Sequence, residues 1–119
     1  MKRLLATIAA LAILAMVEVA VAETAINKSE AMQAGRLKLM EKLKNERVFQ
    51  KVEIPGTLPR LFVQPRFYTL DFDMKQKFVS VVYAYYFDGS KSTDSVRIYD
   101  SRSGKEIGYY AVPQGLKLD

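Results

Sequence analysis

From Leu4 to Val17 the chain is an uncharged, almost wholly apolar run of 14 residues. Met1-Lys2-Arg3 precedes it, and Ala20-Val21-Ala22 follows it, before the polar Glu23. A positive start, a short apolar run and a small-residue A-x-A site are the three parts of a secretory signal peptide. The run is too short for an ordinary membrane span. Glu18 interrupts any longer count, and a charge there is costly in hydrocarbon. The expectation is cleavage after Ala22. That leaves residues 23–119 as a single small domain, periplasmic or secreted, with no membrane span after cleavage. Glu23 to Ile26 reads as a loose tail.

Beyond the tail the apolar period becomes helical. Met32, Gly35, Leu39, Met40 and Leu43 fall on one face at 3.6-residue spacing, with Lys38, Glu41, Lys42 and Asn45 opposite. The spacing predicts a helix from about Lys28 to Arg47, with Asn27 as N-cap and Glu30 completing a capping box. Lys42, Lys44 and Arg47 near its end suit the helix dipole. The apolar stripe is narrow and holds no aromatic ring. It therefore reads as a helix laid on a sheet rather than on a membrane surface.

Val48 to Ile54 alternates with period 2, placing Val48, Val52 and Ile54 on one side and Lys51 and Glu53 on the other. Pro55-Gly56 and Pro59 mark a turn and a loop, and Leu61 to Gln64 reads as a short extended piece stopped by Pro65. Phe67 to Phe87 carries two conflicting signals. Its Val and Tyr content favours strand. At helical spacing, however, Asp73, Gln76, Lys77, Ser80 and Ala84 make one polar or small face. Met74, Phe78, Val81, Val82, Tyr85 and Tyr86 make the other. Asp71 can cap such a helix. The periodicity predicts a helix over Phe72–Tyr86. Its one discordant residue is Lys75, which reads as a snorkelling side chain.

Ser95–Asp100 and Lys105–Val112 flank Ser101-Arg102-Ser103-Gly104, and Gly104 supplies the positive φ that a hairpin turn needs. Pairing Asp100 with Lys105 places Val96, Ile98, Ile107 and Tyr109 on one face. It places Arg97, Tyr99, Glu106 and Tyr110 on the other. A slip of one residue would mix the two sets. The resulting fold class is α+β. A long N-terminal helix and a second helix pack on one face of a small antiparallel sheet that ends in a C-terminal β-hairpin. Leu116 and Leu118 tuck against the body. If Phe72–Tyr86 is strand instead, one helix lies on four or five antiparallel strands.

Composition narrows the chemistry. The 119 residues include 18 Lys+Arg and 13 Asp+Glu, with no Cys, His or Trp. Disulfides, thiol catalysis and Cys-based zinc sites are excluded. So are His-dependent catalytic sets and the commonest transition-metal ligand. Without residues 1–22 the chain keeps 16 basic and 12 acidic side chains, a net +4, and its seven Tyr and six Phe. Packing alone must hold it together, and aromatic rings bury large areas.

Ser103-Gly104-Lys105 ends like a phosphate loop. It fails because Tyr99 stands where the first Gly is needed and Glu106 where Ser or Thr is needed. Asp88 to Asp94 alternates oxygen ligands as calcium loops do. It has Thr93 at the sixth place and Tyr99 at the twelfth, where Gly and Glu are required. The sequence therefore assigns no catalytic residue, no metal ligand and no cofactor.

The expected function is a non-enzymatic binding or interaction module of a bacterial cell envelope. Its partner would be a protein or an anionic envelope component, not nucleic acid. The alternatives are a small enzyme using carboxylate, Lys or Tyr chemistry, and a self-associating structural protein. The candidate interaction surface is Arg97, Tyr99, Glu106 and Tyr110, because outward Tyr and Arg dominate binding hot spots. Intact mass of the protein purified from its native host tests the export step. The expected mass lacks residues 1–22, and a mass that retains them identifies the apolar run as an anchor.

Overall fold

A computed structural model of the chain describes residues Ile26–Asp119. The expected signal segment, residues 1–22, lies outside the described residues. The elements are α1 (Glu30–Asn45), β1 (Phe49–Glu53), β2 (Arg60–Val63), a 3₁₀ turn (Pro65–Thr69) and α2 (Phe72–Tyr86). Then follow β3 (Val96–Asp100), β4 (Glu106–Ala111) and β5 (Gly115–Leu118). The fold is α+β, with both helices on one side of a five-stranded sheet of order β1-β2-β3-β4-β5. Among the described residues no helix is long and apolar enough to cross a membrane.

α1 begins two residues later than the spacing predicts. Its N-cap is Ser29, whose side chain accepts from the Met32 amide at 3.3 Å. Asn27 instead accepts from the Ser29 amide at 2.8 Å, an Asx turn that competes with helix. Ile26, read as part of a loose tail, is buried, and its amide bonds the Asp88 carbonyl at 3.1 Å. The expected stripe does face inward. Leu39, Met40 and Leu43 are buried and Met32 packs beside them. Arg36, a polar residue between those positions, is buried as well.

α2 occupies its expected span, capped by the Asp71 carboxylate, which accepts from the Met74 amide at 2.8 Å. Every residue from Phe78 to Ala84 is buried. The expected polar face therefore does not survive beyond Lys77, because α2 packs against both the sheet and α1 over that stretch. The Ser80 hydroxyl, inside that stretch, donates to the Lys77 carbonyl at 2.6 Å. Lys75 projects its ammonium 5.8 Å from the Phe67 ring centroid, which suits a long side chain with an apolar stem.

The sheet is mixed rather than antiparallel throughout. β2 pairs with β3 in parallel and the other neighbours are antiparallel. The reason is topological. α2 carries the chain from the end of β2 back to the start of β3, and such a helical crossover joins parallel strands. The C-terminal residues add a fifth strand to the hairpin, with Leu116 buried. At the other edge β1 is irregular between Phe49 and Lys51, so Phe49 and Val52 both pack inward, while Ile54, past the end of the strand, is exposed.

The hairpin keeps the expected register only next to its turn. The Asp100 amide bonds the Lys105 carbonyl at 2.9 Å, and Tyr99 faces Glu106. Then a bulge intervenes. Ile98 faces Gly108, Arg97 faces Tyr109 and Val96 faces Tyr110, so Ile107 is the extra residue. A bulge reverses the in–out alternation beyond it. Tyr110 accordingly turns into the core and Tyr109 turns out.

Two glycines hold this geometry for different reasons. Gly104 has φ +75° and open space around it, so its constraint is conformational. A Cβ on Gly108 would overlap the Lys117 carbonyl oxygen and come within 3.0 Å of Leu118 Cα. Its constraint is the approach of β5. Gly104→Val should destabilise by about 1–2 kcal/mol through the left-handed penalty. Gly108→Ala should cost roughly 1–3 kcal/mol through overpacking. Denaturant melts measure both, and a Gly108→Ala melt equal to wild type contradicts the close approach of β5.

Candidate functional site

Among the described residues no element covers the face of the sheet away from the helices. The alternation that buries Leu61, Val63, Val96 and Ile98 sends Arg60, Phe62, Arg97 and Tyr99 outward. Register then assembles two rows across the strands. One runs Lys51, Phe62, Tyr99, Glu106. The other runs Glu53, Arg60, Arg97, Tyr109, Lys117.

The Phe62 and Tyr99 rings stack with centroids 5.3 Å apart and planes at 24°. The Lys51 ammonium lies 4.9 Å from the Phe62 centroid, and the Arg60 guanidinium carbon lies 5.5 Å from the Tyr99 centroid. Cations at that distance are attracted by the ring quadrupole. Arg97 Nη1 donates to Glu106 Oε2 at 2.8 Å, and this bond raises the Arg97 pKa. Lys51 pairs with Glu53 at 2.7 Å. Arg60 and Lys117 form no ion pair with a described residue, so the two rows together carry surplus positive charge.

Arg97 stands between two open cavities. A cavity of about 360 Å³ is lined by Pro55–Leu58, Arg60, Arg97 and Tyr99. A second, of about 290 Å³, lies towards Thr93, Tyr109 and Gln114. Both combine arginine and tyrosine with residues of the adjoining loops.

Of the four residues expected to share a surface, Arg97, Tyr99 and Glu106 do so. Tyr110 does not. It is 7% exposed and packs its ring 5.3 Å from that of Tyr83, because the bulge at Ile107 turned it inward. Tyr109, 37% exposed, takes the outward place. Gly108 was the available signal, since a glycine inside a strand pattern marks a bulge or a close backbone approach. Arg60 and Phe62 join the surface through the parallel pairing of β2 with β3, which no local pattern announces.

Among the described residues no group of three or more Asp or Glu gathers as a metal site. The Asp88 carboxylate accepts from the Ser90 amide and hydroxyl at 3.0 and 2.6 Å. Those bonds hold its pKa below the ordinary value. Comparison with protein-family models, curated proteins and solved structures finds no match to this chain.

One polar tie locks the end of β3 and has a pH signature. The Tyr68 hydroxyl donates to Asp100 Oδ1 at 2.7 Å, and the Ser103 and Arg102 amides donate to Oδ2. The Tyr68 bond and the amides draw the Asp100 carboxyl down to about 2. Burial and the same bond push the Tyr68 phenol up to about 12. Asp100 therefore stabilises the fold above its unfolded pKa of 3.8, and that contribution is lost as pH falls to about 2. Tyr68 stabilises below its unfolded pKa of 10.0, and that contribution is lost as pH rises to about 12. Melts of wild type and Tyr68→Phe across pH should differ by a constant amount between these limits. The difference should shrink at both ends. A difference independent of pH contradicts the tie.

Proposed function

We propose that this chain is a non-enzymatic binding module of the cell envelope, exported to the periplasm or beyond. The outer face of its sheet docks an anionic envelope component. The observation that carries the reading is the stacked Phe62–Tyr99 pair, bordered by Lys51, Arg60 and Arg97 on the sheet face away from the helices. Stacked rings offer a flat, rigid contact area at low entropic cost. Arginine presents a planar fork matched to carboxylate and phosphate groups. The open cavities on either side of Arg97 give such groups room beside its guanidinium. An extended anionic polymer fits this combination, because it can lie across the strands and meet ring and cation in turn.

Such binding weakens with salt, since exposed charges are screened over about 8 Å at physiological ionic strength. Retention on a heparin column, an anionic polysaccharide, measures it. Wild type should elute at higher salt than either Arg60→Gln or Tyr99→Thr, with all melts still cooperative. Lys44→Gln, on the exposed side of α1, removes the same charge as Arg60→Gln and should shift elution less. Equal elution of wild type, Arg60→Gln and Tyr99→Thr sinks the proposal.

A further inference from the structure

Arg36 lies on the inward side of α1 and is 0% exposed. Its Nη1 donates to Gln33 Oε1. Its Nε and Nη2 have no hydrogen-bond partner. These two nitrogens form one edge of the guanidinium, and that edge presents two parallel N–H donors. A carboxylate accepts such a pair in bidentate fashion. A buried charge without a partner costs several kcal/mol, and donors left orphaned add to that cost. We propose that Arg36 is the anchor of a buried carboxylate-binding site at the N-terminal half of α1, facing the end of α2.

The surroundings pre-orient that edge and set its charge requirement. Gln33 is held by its own amide, which donates to the Tyr85 carbonyl at 2.9 Å, so the side chain that grips Nη1 is itself fixed. Lys28 places a second cation nearby. It donates to the carbonyls of Ala84, Tyr85 and Phe87 at 2.6, 2.8 and 3.0 Å. Burial lowers its pKa and the proximity of Arg36 lowers it further, while Asp88 raises it. Burial lowers the Arg36 pKa, and no acidic side chain opposes that shift.

No acidic side chain pairs with the Arg36 guanidinium, so a single negative charge balances it. A monoanion fits, whereas phosphate brings a charge closer to two. Met32, Leu39 and Met40 are three or four positions from Arg36 on the helix and belong to the packed interior. They suit a carboxylate carried on an apolar body. Shielded as it is, the guanidinium is reached by local opening, so the smallest carboxylate is the first probe.

The test uses the purified protein with sodium formate, then acetate, against sodium chloride at matched ionic strength. Two readouts are followed, the melting temperature and the Nε–H resonance of Arg36. Wild type should show a saturable rise in melting temperature and a saturable shift of that resonance with formate. Arg36→Lys keeps the charge but not the paired donors, and should weaken formate binding at least about tenfold, the loss of one charge-assisted bond. Arg36→Met should lose the formate-specific rise altogether. If Arg36→Met does not fold, the wild-type resonance decides. No response beyond chloride in either readout overturns the site. A response to phosphate as strong as that to formate overturns the carboxylate assignment. These outcomes are independent of heparin retention, which reports on the opposite face of the sheet.

Discussion

The structure depends on satisfying the backbone at the end of a buried helix. α2 is enclosed from Phe78 to Ala84, and the last four carbonyls of an α-helix have no partner within the helix. Its last turn contains no basic residue. The donors come from far away in sequence. Lys28 reaches three carbonyls and Gln33 a fourth contact, on Tyr85. A cation at a helix C-terminus also complements the dipole. The start of α1 is thereby fixed to the end of α2, and Ile26 is drawn into the core beside Asp88 and Gly89.

With α1 bound to α2, both helices lie on the same side of the sheet. Leu61, Val63, Val96, Ile98 and Leu116 meet them, and their outward neighbours meet water. A β-strand has only two sides, so the enclosure of α2 and the exposure of the Arg60–Arg97–Tyr109 row are one arrangement. The bulge at Ile107 then decides which tyrosine belongs to which side. Tyr110 reaches the ring of Tyr83 on α2, and Tyr109 faces Arg97 and Lys117.

Arg36 is the exception inside this core. Leu39 and Met40 beside it on α1 are apolar, yet Arg36 brings a permanent charge and leaves one edge of it unmet. Tyr83 leaves its buried hydroxyl unmet as well, and burial raises its pKa. The helix starts, by contrast, are capped at the surface by Ser29 and Asp71. Buried donors left without a partner mark a place where the interior is not optimised for stability alone.

The local content of the chain was legible wherever a signal is carried by neighbouring residues. The Asp71 cap and 3.6-residue spacing specified α2 over Phe72–Tyr86 despite its Val and Tyr content. The Gly104 turn specified where β3 and β4 meet. Arg97, Tyr99 and Glu106 could be placed on one face because they lie within a few residues of that turn. What only the tertiary structure decided is long-range. It comprises the parallel pairing that sets Phe62 on Tyr99, the approach of β5 that excludes a side chain at Gly108, and the bulge that exchanged Tyr110 for Tyr109. It also includes the burial of Arg36 within an otherwise amphipathic helix. The physical reason is that periodicity records which side a residue takes relative to its near neighbours. Which strand lies alongside, how closely it approaches and what covers a helix are fixed by contacts between segments that local spacing does not encode.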